Sequence, residues 1–562
     1  MVKHTVLLLS SLGWLSFGTA IAQSGPGFLE ITVNSNSDTV APDETITLRE
    51  AIAIANGALP LSELTESERA MVGTLYTTSL RGTQIGFDLP PGATTIELER
   101  ELPAIAAPGI TLDGTTQPGY DIETLEAGEI PVPLVAIAPA PGVEIARGVT
   151  VVADNTTIRG LSISGFINPS HPTRVDEYVD LITPGRVTAK VPPGNIFISH
   201  ADPPEIRILR GWPEGDFPFD DDGEEDVPPQ NVTIEYNQLG ASGVRSAFGV
   251  YVFDGLGATI RNNRIGNHNG SGVITSVRAN NLTISDNLIE NNGFAGMPDA
   301  IRLEGVVEGT VVRGNRIENN AGSGIYVFKP NGAVEITENT IIDNGQRYKR
   351  AAIFLTGRGH QVTNNEIGNQ PGPGVAVGVF PDGDRVAITS NQFANLDGLD
   401  IDLVAQQGTG VQDYQRGDGR NPLLGVDRRR DWGNVIAGFT GESFFTRERR
   451  RQVANYGINA PQFASREFFI APSGRVTVMG KAEPGSEIEM YRIEEIAGTT
   501  ASRPIATAPV DEEGNFETNL EGLEAGDRLS ATATHPQYGT SEAAIAVEIR
   551  AIPGTNSREG GR

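Results

Sequence analysis

The chain has 562 residues, with 71 acidic against 43 basic side chains and a formal net charge of −28. So negative a surface disfavours nucleic acid and anionic membranes as partners and keeps the protein dispersed in water. There is no cysteine, which excludes disulfides and thiolate chemistry, and the length calls for more than one domain.

Residues 1–22 read as a secretory signal: Lys3 is the charged start, an apolar core follows, and Ala20-Ile21-Ala22 is the cleavage site before Gln23. This predicts an exported protein, extracellular, on the cell surface or in the periplasm. No transmembrane span is expected after cleavage, because no later run reaches ~18 consecutive apolar residues. A strand follows at 28–33. Thr47 and Glu50 then form a T-x-x-E capping box, with Leu48, Ile52 and Ala55 on one face and Asn56-Gly57 as the stop. That short helix is suited to covering the open end of a strand stack.

The stretch ITVNSNSDTVAPDETITLREAIAIAN resembles the N-terminal segment of the bacterial CSLREA-domain proteins, with Ile46-Thr47 in place of Cys-Ser before Leu48, Arg49, Glu50 and Ala51. A second patch, ELPAIAAPGITLDGTTQPGY, is similar to that family's usual continuation. The resemblance implies right-handed parallel β-helix repeats of the pectate-lyase-like fold. It implies no activity, since most members lack an assigned one.

A repeat supports the same architecture from the residues alone. Asn237, Asn263, Asn287, Asn315, Asn339, Asn365 and Asn391 are spaced by 26, 24, 28, 24, 26 and 26 residues. A fixed period of this length means one unit stacked on copies of itself. Each unit holds three short β-branched runs between Gly/Asn turns. The asparagines are expected to bend the chain through their tolerance of left-handed geometry and to hydrogen-bond along the stack. An earlier coil at 156–166 carries Leu161 at the ladder position. Residues 168–230 interrupt the repeat with a proline-rich, acidic insertion whose run at 220–226 lacks the spacing of a calcium loop.

After residue 404 the repeat stops, and residues 405–469 form an irregular connection with two arginine clusters, which are expected to pair with the protein's own carboxylates. Residues 470–550 alternate in strand fashion with hairpin turns, a small antiparallel β-sandwich. Its sequence resembles the bacterial Ig-like modules of surface and secreted proteins, which implies a spacer or adhesive unit. Residues 551–562 are a polar, disordered tail. The domains are therefore the signal at 1–22, a cap and first coils at 23–150, the β-helix at 151–404, the connection at 405–469, the sandwich at 470–550 and the tail. The fold class is all-β: a helix-capped right-handed parallel β-helix followed by a sandwich.

Alternation places Tyr251, Phe253, Arg302, Glu304, Tyr326, Phe328 and Phe354 on the outer side of one sheet, with Asp402 further along. Aromatic rows suit the apolar faces of sugar rings, and an Arg/Glu pair suits hydroxyls or uronates. The candidate substrate-binding residues are Tyr251, Phe253, Arg302, Tyr326, Phe328 and Phe354, and the partner is a polysaccharide or cell-surface glycan. Catalysis has thinner support. Glu304 and Asp402 lie four coils apart, ~19 Å, against the ~5–9.5 Å of a glycosidase pair. The remaining catalytic candidates are Asp384 and Arg385, and Asp382 with Asp384 are the candidate ligands should calcium be the cofactor; otherwise no cofactor is expected. The reading is an exported glycan-binding protein without catalysis, with a polysaccharide lyase or glycoside hydrolase as the first alternative and a structural adhesin as the second. His360 reads as a solvated turn residue. Oligomeric state is not encoded legibly.

Overall fold

The computed structural model describes residues 28–74, 82–121, 130–167, 192–200, 227–379, 383–405, 414–423, 450–496 and 498–552. The signal, the acidic run at 220–226, Asp382, Arg428 to Arg430 and the tail from residue 553 on lie outside them.

Each β-branched triplet forms a short strand that pairs in parallel with the triplet one period later. Ile260 sits over Ile234, Ile284 over Ile260, and so on through Ile388. Three such stacks make the three faces of a right-handed parallel β-helix. One is a twelve-stranded sheet ending at Ala387–Thr389, and one is nine-stranded, running from Arg147–Val151 to Ile401–Val404. The third runs from Thr95–Leu98 to Gln392–Leu396. The inward positions are filled as alternation requires: Val250, Val252, Ile301, Leu303, Ile325, Val327, Ile353 and Leu355 are all fully buried.

The asparagines form the ladder expected of them. Each Oδ1 accepts from the backbone N–H and the Nδ2 of the asparagine before it, at 2.9–3.1 Å from Asn237 to Asn391. Leu161 does occupy the position below, its N–H donating to Asn237 Oδ1. The reason for the bend differs from expectation. The left-handed residue is the one before each rung: Tyr236, Asn262, Asp286, Gly314, Glu338, Asn364 and Ser390 all have φ between 53° and 63°. The asparagine supplies the amide; its neighbour makes the turn. A second ladder stands five residues on. Asn195 Nδ2 meets His268 Nε2, His268 Nδ1 meets Asn292 Oδ1, and Asn292 bonds Asn320, which bonds Asn344. For His268 to serve here its Nδ1 donates and its Nε2 accepts, so the ring is neutral. Burial pushes its pKa down to about 4.

The helix Leu48–Ala55 has the expected capping box, with Glu50 N–H donating to Thr47 Oγ1 and Thr47 N–H to Glu50 Oε2. Its apolar side joins the first coils through the fully buried Leu48, Ala51 and Ile52. Arg49 is gripped by Asp38 at 2.9 and 2.8 Å and donates to the carbonyls of Arg100 and Glu101. Thr47→Ala should cost about 1 kcal/mol, read as a lowered chemical-denaturation midpoint.

The C-terminal unit is a small antiparallel β-sandwich. It starts earlier than residue 470, since Glu467–Ile470 pairs with Val547–Ala551. It also contains a strand not expected from sequence, Thr499–Pro509. Pro504 argues against a strand, but it lies opposite a register shift between Met490 and Tyr491, where the ladder bond it cannot make is dispensable. This unit, with Asn455 of the segment just before it, seals the last coil on all three faces. Asn455 bonds both Val386 and Thr540, Ser502 and Ala501 pair with Phe393 and Ala394, and Glu542 accepts from Leu403 N–H. A solenoid end left open presents unpaired strand edges; here the helix covers one end and the sandwich the other.

Candidate functional site

The outer side of the nine-stranded sheet carries two aromatic groups, on strands whose register holds from Phe197 and Tyr251 through Tyr326 to Phe354 and slips after Val252 and after Leu303. In the first, Phe197, Tyr251 and Phe253 come from neighbouring strands, and Phe248 joins from the preceding turn. Their ring centroids are 5.5–6.4 Å apart. Arg147 lies over Phe197, its Cζ 3.9 Å from the ring centroid. In the second, Tyr326 stacks between Phe328 and Phe354, 5.5 Å from each. Between the groups are two strands bearing Ile274, Ser276, Arg302 and Glu304. The Tyr251 hydroxyl is 2.7 Å from Ser276 Oγ.

Arg302 is the centre. Its guanidinium lies 4.4 Å from the Tyr326 ring, 2.5 Å from Glu304 and 3.2 Å from Asp299, which also meets Arg350 at 3.4 Å. Burial opposes its charge, but the carboxylates of Glu304 and Asp299 outweigh burial and raise its pKa. Asp299 is fully buried, and burial raises its pKa although both arginines and the Ser323 N–H oppose that. Burial also raises the Tyr251 phenol, with the Glu304 charge adding to it, so it remains a hydrogen-bond donor. Such a surface can stack rings and exchange hydrogen bonds.

Exposure divides the expected binding residues. Tyr251, Phe253, Phe328, Arg302 and Glu304 are half-buried. Phe354 is fully buried and Tyr326 only 6% exposed, which corrects the expectation that both meet a ligand. Phe354 packs with Ala351, Ala376 and Val404, and a Cβ on Gly378 would sit 3.0 Å from its ring. The segment 414–423 folds over this end, with Gln415 accepting from Ala351 N–H and the amides of Asp418 and Gly419 bonded to Asp402. Asp402 is thereby buried, with burial raising its pKa to about 7.

The catalytic candidates are not brought together. Glu304 stands on the sheet face, whereas Asp384 accepts from Tyr456 N–H and Arg385 N–H donates to Tyr538 at the C-terminal seal. Among the described residues no group of three or more His, Asp or Glu side chains is placed to hold a metal. His360 is buried, not solvated. It accepts from Val334 N–H and meets the Thr356 carbonyl, and burial lowers its pKa to about 4. Of the arginine clusters, Arg450 pairs with Glu483 at 2.9 Å, as expected. Sequence reasoning missed Phe197 and Arg147. The signal for Phe197 is the apolar run GNIFIS, but it stands alone between two long interruptions.

A family model described as right-handed beta helix region matches residues 226–393. No curated protein sequence matches the chain. Among solved structures, the enzymatically active domain of tailspike protein 2 from bacteriophage CBA120 is 10% identical over 83% of this chain and 72% of its own, with a TM-score of 0.27. The pectate lyase Pel9A is 12% identical over 70% and 74%, with a TM-score of 0.28. The A-module of the Azotobacter vinelandii mannuronan C-5 epimerase AlgE6 is 16% identical over 66% and 94%, also at 0.28. At such scores these likenesses are no guide to activity.

Proposed function

We propose that the protein is an exported, cell-surface or extracellular β-helix protein that binds polysaccharide without catalysis. The observation that carries this reading is the set of half-exposed rings, Phe248, Tyr251, Phe253 and Phe328, flanking Arg302 and Glu304 on one rigid sheet face. Parallel strands ~4.8 Å apart hold such rings at fixed intervals, and ring faces suit the C–H faces of sugars while the polar pair takes hydroxyls. The second carboxylate near Glu304, that of Asp299, is fully buried and held by Arg302 and Arg350, which favours binding over hydrolysis. The N-terminal segment and sandwich fit the CSLREA-type and Ig-like readings of the sequence. Burial of Phe354 and Asp402 favours a second reading, a structural adhesin, for the other half of the face.

Tyr251→Ala and Phe253→Ala should each weaken binding by roughly tenfold, ~1.4 kcal/mol, in calorimetric titration against glycans first selected on an array. Phe354→Ala should lower thermal stability while leaving affinity intact. An array without hits, or affinity unmoved in both exposed-ring variants, would remove the reading.

A further inference from the structure

Around the turns that lead into the nine-stranded sheet, cations gather, four of them with no carboxylate partner among the described residues. Arg245 lies over Phe294, its Cζ 3.6 Å from the centroid, and Arg347 Nη1 donates to the Phe294 carbonyl. Arg347 and Arg350 flank Tyr348 at 5.0 and 4.7 Å, Arg416 Nε donates to the Tyr348 carbonyl at 2.8 Å, and Lys349 stands between them with a left-handed φ of 53°. Arg245, Arg347, Lys349 and Arg416 are exposed, and among the described residues no carboxylate pairs with any of them.

Arg100, Arg313 and Arg385 are likewise exposed without a carboxylate partner among the described residues, so what sets this group apart is its clustering; four exposed arginines elsewhere, for instance, are paired. Arg261 pairs with Glu235, Arg264 with Glu290, Arg316 with Glu318 and Arg550 with Glu548. In a chain with 71 acidic residues, partners for four more cations are plentiful. A cluster kept free of them attracts an external anion. The aromatic and carbonyl contacts hold the guanidinium groups in place before a ligand arrives, so less side-chain entropy is lost on binding. The cluster is continuous with the sheet face, since Arg350 and Arg302 share the carboxylate of Asp299.

We infer that Arg245, Arg347, Lys349 and Arg416 form an anion-reading flank of the sheet face, and that its ligand is a polysaccharide bearing carboxylates. This rests on the glycan-binding reading above and names the class of glycan. A densely charged polymer such as DNA is disfavoured by the net charge of −28.

The test uses the full chain and three probes: polygalacturonate, its carboxyl-reduced neutral form, and duplex DNA. Polygalacturonate should bind at least tenfold more tightly than the neutral form at low salt, and the difference should shrink as salt rises. The triple variant Arg245→Gln, Arg347→Gln, Lys349→Gln should erase the difference and leave neutral binding as it was. Equal binding of both glycans by the wild type, an unaltered preference in the triple variant, or DNA bound as tightly as polygalacturonate would each overturn the inference while the face reading stands. Polygalacturonate binding lost in the triple variant but untouched by Tyr251→Ala and Phe253→Ala would support the flank and remove the aromatic face. Failure of both glycans to bind removes both.

Discussion

Replacing Asn315 by alanine is expected to destabilise the central coils by about 3–5 kcal/mol. Asn315 Nδ2 donates to the carbonyls of Ile284 and Arg313 and to Asn339 Oδ1, and its Oδ1 accepts from Asn287 N–H and Nδ2. Alanine leaves those groups unpaired in a position only 1% exposed. Each stranded buried group costs about 1–3 kcal/mol, less whatever a trapped water recovers. A solenoid need not unfold in one step, so the measurement is hydrogen exchange resolved by segment. The loss should centre on the strands Thr283–Ser285 through Val334–Thr337, with the exposed Asn331→Ala within ~0.5 kcal/mol of wild type. A loss below 1 kcal/mol at Asn315 would mean that the ladder is decoration rather than frame.

Raising the pH from 5 to 8 should loosen the seal at the other end. Asp402 lies under the segment 414–423, and burial raises its pKa to about 7; the amides of Gly419 and Asp418 pull it down, and the charges of Asp418 and Glu542 push it up. Glu542 and Asp400 are raised by burial too, with Arg420 the cation facing both. A carboxyl whose folded pKa exceeds its unfolded value contributes stability that is complete below the unfolded pKa, near 4, and is lost as pH climbs through the folded one. Between pH 5 and about 7 that is roughly 2–3 kcal/mol. Protection of Ile401–Val404 in hydrogen exchange should therefore fall on the alkaline side. Asp418→Asn removes one of the repelling charges and should flatten the profile. A wild-type profile already flat from pH 5 to 8 would refute the assignment.

How much of this was legible in the sequence depends on how local the cause is. The rungs from Asn237 to Asn391 are a period of one residue type, and the Thr47/Glu50 box is a four-residue pattern, so both could be read directly. The second ladder was hidden because its rungs change identity, from His268 to Asn292, Asn320 and Asn344. Alternation sorted inward from outward residues correctly, but outward is not the same as wet. Phe354 and Asp402 face away from the coil interior and are covered by residues from elsewhere. The role of the sandwich as a seal left no trace at all, because Ile388 meets Thr540 152 residues later and Leu403 meets Glu542 139 residues later.

Those last separations bear on how the molecule is made. A coil stacks on its predecessor through contacts only 24–28 residues apart, so growth of the stack is a local event and should be fast. Its termination is not: the strands of the last coil stay unsatisfied until a unit some 150 residues later has folded onto them. Contacts that distant form slowly. During the wait, the growing end is a template that another copy could extend. The vulnerable interval in this protein's life is then the gap between the last coil and its seal, and refolding at rising protein concentration should lose yield there first.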